Sequence, residues 1–137
     1  MKTILYYEAN DGKRFESEEE CLDYELEKDI EPIKDHLYLW NGDGEMMALT
    51  PHTDLDNAWA IYCSSISAAK FLKVWGERDG VTNPYEKIDI ENNNEVPLGE
   101  FVWFNGDWVQ ISEIIAYYQT MSRNMANGNL QIELLEP

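Results

Sequence analysis

The sequence predicts an α+β fold: an antiparallel or mixed sheet of β-hairpins packed against two to three helices. Three observations carry this. Asn41-Gly42 and Asn105-Gly106 each separate two apolar runs, and both residue types tolerate the positive φ of a tight hairpin turn. Serines at 17, 65 or 67, and 112 each precede apolar residues at helical spacing, where a hydroxyl satisfies amides left orphaned at a helix start. Strand-length and helix-length patterns alternate along 137 residues, a length that suits a single domain over 1–137 able to bury a core without disulfide or metal staples.

The first unit is a strand from Thr3 to Glu8, a turn at Asn10-Asp11-Gly12, a second strand from Lys13 to Phe15, and a helix opened by Ser17. Ser17 with Glu20 three positions on forms a capping box, and Glu18, Glu19 and Glu20 sit where the helix dipole favours negative charge. Leu22, Leu26, Ile30 and Ile33 make one apolar stripe. Pro32 disfavours helical geometry at Glu31 and marks a stop or a kink. The rest of the helix surface is carboxylate: Glu18, Glu19, Asp23, Glu25, Glu27 and Asp29 stand along a rigid rod, with Lys28 the lone cation between Glu16 and Glu31.

The pattern Asp11-Gly12-x-x-Phe15-x-Ser17-x-Glu19-Glu20-Cys21-x-x-Tyr24-Glu25 resembles the N-terminal segment of small, mostly uncharacterised tailed-phage proteins. The match covers about the first thirty residues. The resemblance implies a phage or prophage origin and action inside a bacterial cell, and it implies no mechanism.

Farther along, Leu37–Trp40 reads as a strand, Asn41–Gly44 as a turn, and Glu45–Thr50 as the returning strand. Residues 51–57 read as a polar loop. Ala58–Cys63 is a continuous apolar run suited to a central strand, and Ala68, Phe71, Leu72 and Trp75 follow at helical spacing until Gly76 or Gly80 closes the helix. Residues 77–99 carry turn chemistry with one edge strand at Tyr85–Ile90; so long a connection is functional or mobile. A second Asn-Gly hairpin joins Glu100–Phe104 to Asp107–Ile111, pairing Phe104 with Asp107, Trp103 with Trp108, and Val102 with Val109. Ser112 then caps a helix with the stripe Ile114, Tyr117, Tyr118, Met121 and Met125, stopped at Asn127-Gly128, and Leu130–Leu134 alternates as a terminal strand.

The formal charge of −17 narrows the function. Such a field repels nucleic acid and anionic membranes and attracts basic surfaces within a Debye length of about 8–10 Å. With ten basic residues, mostly dispersed, the chain lacks the cationic surface that phosphate contacts need. No signal-peptide pattern and no membrane-length apolar run is visible, so the expected location is cytoplasmic, in a bacterial host, with Cys21 and Cys63 as buried reduced thiols. His52-Thr-Asp54-Leu-Asp56 and Asp89-Ile-Glu91-Asn-Asn93 lack the spacing of calcium or zinc sites, so no metal and no cofactor is expected. Thiol catalysis would need Cys21 or Cys63 beside His36 or His52, and no base is placed by the pattern. No catalytic residue is assigned.

The expectation is therefore a small acidic binding protein that inhibits or modulates a basic, nucleic-acid-handling host or defence protein by mimicking nucleic acid. The partner-binding residues are Glu18, Glu19, Asp23, Glu25, Glu27 and Asp29, with Trp103 and Trp108 as desolvated anchors beside the further candidates Tyr6, Tyr7 and Trp40. One alternative is a structural or assembly protein whose aromatic hairpins form a homo-oligomer or virion contact. Another is a small-ligand binder or enzyme with a site between the sheet and the 77–99 loop, lined by Tyr85, Trp103 or His52.

Overall fold

The computed structural model describes residues 5–92 and 95–135, with side chains as far as residue 128. A two-stranded hairpin, β1 (Tyr7–Glu8) with β2 (Arg14–Phe15), leads into α1 (Glu18–Ile30). A five-stranded antiparallel sheet then gathers β3 (Leu37–Trp40), β4 (Met46–Met47), β5 (Ala60–Cys63), β6 (Gly99–Phe104) and β7 (Asp107–Gln110) in the order β4-β3-β5-β6-β7. α2 (Ile66–Asp79) follows β5, and α3 (Ile111–Leu135) follows β7. The fold is α+β, and Ala58–Cys63 does supply the middle strand.

Alternation sorts the sheet into two faces. Leu37, Leu39, Ile61, Cys63 and Phe101 are buried and point to one side, where they meet Ala68, Ala69, Leu72 and Trp75 of α2 in a single apolar cluster. Each large side chain withdrawn from water here contributes roughly 1.5–3 kcal/mol before chain entropy is counted. The opposite face carries Tyr38, Trp40, Ala60, Tyr62 and Val102, all half-buried.

Helix ends follow from local chemistry. Ser17 accepts a hydrogen bond from the Glu20 amide at 3.4 Å, and Ser65, rather than Ser67, accepts from the Ala68 amide at 3.1 Å. Gly80 adopts φ 67° and closes α2. Gly76 lies inside the helix, where a Cβ would overlap the Asn83 amide and the Val81 carbonyl, so glycine there permits close approach rather than termination.

Several expectations are corrected. Leu22 is 52% exposed and leaves the buried stripe, which runs through Leu26, Ile30 and Ile33. Cys21 is buried as well, in a helix that packs against the β1–β2 hairpin. Glu31 keeps right-handed helical angles (φ −51°, ψ −48°) although α1 ends at Ile30, so Pro32 stops the helix without forcing its predecessor extended. β1 and β4 span two residues each, shorter than read; Thr3 and Ile4 lie outside the described residues. No edge strand forms at Tyr85–Ile90. That segment is a series of turns pinned to the core by Tyr85, fully buried, whose hydroxyl donates to the Pro97 carbonyl at 2.7 Å.

The largest correction concerns α3. Ser112 does not cap it, because β7 passes directly into the helix at Ile111. It does not stop at Asn127-Gly128, and Leu130–Leu134 is helix rather than strand. Glycine ends a helix by taking left-handed φ, and Gly128 does not take it; inside a helix it costs only about 1 kcal/mol relative to alanine.

Candidate functional site

Backbone register builds the site. Trp59 donates its amide to the Trp40 carbonyl and accepts from the Trp103 amide at 2.9 Å, one rung beyond the Ala60–Val102 pair. Trp103 in turn pairs with Trp108 across the β6–β7 hairpin, as the Asn105-Gly106 turn requires; both turn residues have positive φ, 52° and 78°. Because the Trp103 amide is committed to β5, the Trp103–Trp108 rung is a non-hydrogen-bonded pair, the kind in which side chains approach most closely. The two rings lie 5.6 Å apart at 66°, a corner rather than a stack.

Three tryptophans on three adjacent strands thus share one rung. By parity this rung belongs to the same face as Ile61 and Phe101, but it lies past the end of α2. The row is consequently not sealed. It borders a cleft of about 180 Å³ lined by Trp59, Trp103, Trp108, Leu55, Asp56, Val81 and Thr82 among others. Trp59 is 52% exposed, while Trp103 and Trp108 are half-buried. The loop after α2 makes one wall, held because the Trp108 indole donates to the Thr82 carbonyl at 3.3 Å. A short 3-10 turn (Leu55–Asn57) makes another; Leu55 plugs the core beneath it and Asp54 caps it, leaving Asp56 exposed at the cleft.

The α1 carboxylates form a second charged surface. Glu18, Glu25 and Asp29 align on one side of the buried Leu26–Ile30 line; Glu19 and Asp23, seven residues before Leu26 and Ile30, continue that line toward the helix start, and Glu27 stands on its other side. Glu18, Glu19, Glu27 and Asp29 are exposed. Glu25 accepts from the Asn10 amide at 2.9 Å, and Asp23 meets His52 Nε2 at 3.0 Å. Among the described residues none of the six pairs with a lysine or arginine. Lys28 instead reaches Asp11 at 2.9 Å. The Tyr24 hydroxyl, 2.6 Å from Asp11, together with Lys28 holds the Asp11 carboxyl well below the usual carboxylate range.

Of the other candidates, Tyr6 and Tyr7 are exposed in the N-terminal strand region, and Trp40 lies on the opposite sheet face among Tyr38 and Tyr62. Tyr85 and His52 do not line the cleft; Tyr85 is core, and His52 stands against α1. Glu19, Asp23 and His52 place three donor atoms within 4.8 Å of one another and are the described residues that could hold a metal ion. This group is not the His52-Asp54-Asp56 loop weighed from sequence, since Asp54 is spent on capping. Cys63 is fully buried, donates to the Ser65 carbonyl, and burial pushes its thiol pKa up, which suits packing rather than nucleophilic attack.

Sequence reasoning read Trp59 only as part of the central strand and weighed Asp56 only as a metal ligand, and placed neither at a binding cleft. The available signal was parity: counting back from Ile61 puts Trp59 on the core face, and the Asn105-Gly106 register brings Trp103 beside it only once β5 is paired with β6. No protein-family model matches the chain, and neither does any curated protein or solved structure. No helix among the described residues is long and apolar enough to cross a membrane.

Proposed function

We propose that this chain is a non-catalytic acidic binding protein for a basic protein surface, anchored by a cationic side chain in the tryptophan cleft. The observation that carries the reading is the coincidence of three tryptophans and Asp56 around one opening in a chain of charge −17. Indole faces attract ammonium and guanidinium groups, at about 0.5–2 kcal/mol per contact depending on desolvation. A carboxylate at the rim adds charge complementarity. The cleft, at about 180 Å³, is smaller than the roughly 300–1,000 Å³ of sites that enclose a cofactor or drug-sized ligand, and it has room for one long side chain.

The two surfaces divide the work. The α1 carboxylates, none of those six paired with a lysine or arginine among the described residues, and the overall field speed encounter with a basic partner and select against acidic ones, a contribution mainly to on-rate and specificity. The cleft supplies the desolvated anchor on which residence time depends. A protein whose basic groove handles nucleic acid fits this chemistry, because phosphate-contacting surfaces are lined with lysine and arginine. The resemblance of the first thirty residues to tailed-phage proteins supports a bacterial host as the setting, with inhibition or modulation as the outcome. A second reading, a binder of small quaternary or guanidinium ligands, is favoured by the same cleft and its loop wall.

The test is capture from bacterial lysate at low and moderate ionic strength by wild type, Trp59→Ala and Asp56→Asn. Both substituted side chains are exposed, so the fold tolerates them. A basic protein retained at low salt, reduced at moderate salt and lost by both variants supports the proposal. Capture indifferent to salt and to both variants contradicts it, and binding of a free quaternary ammonium compound without any protein partner favours the second reading.

A further inference from the structure

We infer that α3 is a self-association helix: it seats a second copy of this chain along an apolar seam that repeats every seven residues. Positions 111, 114, 118, 121, 125 and 128 are Ile, Ile, Tyr, Met, Met and Gly, spaced alternately three and four, and in sequence Ile132 and Leu135 continue the same spacing to the end of the helix. That is the a/d repeat of a coiled coil, in which knobs of one helix enter holes of another. It is narrower than the 3.6-residue stripe of a helix lying on a globular core.

Among the described side chains, the chain itself does not fill this seam. Ile111 and Ile114 are half-buried where α3 leaves β7, and Tyr118 touches Phe104 at 6.4 Å between ring centroids. Beyond that point Met121 and Met125 are 36% and 63% exposed, and Ile115 and Tyr117 beside them 51% and 55%. A helix holding so much apolar surface in water at its described positions lacks there the tertiary packing from which most helical stability comes.

Charge identifies the occupant. Over its whole length α3 carries only Glu113, Arg123 and Glu133, and the positions flanking the seam through residue 124 (Ile115, Tyr117, Ser122, Asn124) are uncharged. Two copies at −17 each repel wherever their carboxylates face, so the neutral helix is the surface along which they can approach. A heptad seam is also complementary to itself, as a twofold pairing requires. This goes beyond the proposed cleft, which lies on the other face of the sheet from Phe104 and stays open in the pair.

Sedimentation velocity across the micromolar range tests it. Wild type should sediment at twice the 16.0 kDa of one chain and dissociate on dilution. Met121→Glu/Met125→Glu should be monomeric, whereas Gln119→Glu/Thr120→Glu, which adds the same charge off the seam, should remain paired. Added salt should tighten the pair by screening like charges, opposite to its effect on basic-partner binding, so the two proposals fail separately. A wild type that stays monomeric throughout, or an association that survives Met121→Glu/Met125→Glu, overturns the inference.

Discussion

α1 and α3 are read from sequence by the same rules and end in opposite situations. α1 is capped by Ser17, buries Cys21, Leu26 and Ile30, and is tied to the preceding hairpin through Asp11, Tyr24, Lys28 and Glu25. α3 is nearly twice as long, emerges uncapped from β7, and touches β6 and β7 near its base while its apolar side chains remain exposed. Periodicity reports that a helix has a greasy side. It does not report whether the molecule has anything to put there.

The contrast can be broken by substitution. The largest expected difference is between Leu26→Ala and Met125→Ala. The first should cost about 2–5 kcal/mol in a denaturant titration because it opens a cavity in packed surroundings. The second should shift the stability of the globular part by less than about 0.5 kcal/mol, since the side chain is 63% exposed. Equal losses would mean α3 is packed within its own chain.

A smaller effect separates the caps. Ser17→Ala removes an acceptor for the Glu20 amide and should cost about 1 kcal/mol. Ser112→Ala, inside the first turn of a helix begun by β7, should cost only a few tenths. Parity between them would restore Ser112 as a true cap.

The hairpin tie to α1 has a pH signature. Asp11 has a depressed carboxyl in the folded state, first through the Tyr24 hydroxyl and then through Lys28. Its stabilising contribution is therefore complete above the ordinary aspartate value of 3.8 and is lost as pH falls through the lower folded value. The stability gap between wild type and Asp11→Asn should be flat near neutrality and shrink only in strong acid. A gap that already shrinks between neutrality and mildly acid pH would refute the assignment. No comparable acid-sensitive tie exists among the described residues of α3.

Much of the fold was legible because local chemistry dictated it. Asn105-Gly106 set the β6–β7 register residue by residue, and Ser17 and the Ala58–Cys63 run placed a helix start and the central strand. What could not be read was long-range. Asn41-Gly42-Asp43-Gly44 resembles the second turn, yet its positive φ falls on Gly44 and the Asn41 amide reaches Glu45, a wider turn with a two-residue returning strand. Tyr85, in a segment of turn residues, proved to be core because a lone aromatic among turns carries no periodic signal. The tryptophan row required three strands from distant parts of the chain, so Trp103 and Trp108 were visible as a pair while Trp59 and Asp56 were not. The α1 carboxylates were evident from spacing alone, but which of them border the buried line depends on where Leu26 and Ile30 are packed.

The indole N–H resonances of the five tryptophans test the cleft most directly, during titration with a short arginine- and lysine-rich peptide at low ionic strength. Trp59, Trp103 and Trp108 should shift together and saturably, Trp75 in the core and Trp40 on the opposite face should stay in place, and Asp56→Asn should weaken the response. Shifts spread evenly over all five, or none at any peptide concentration, would contradict the account.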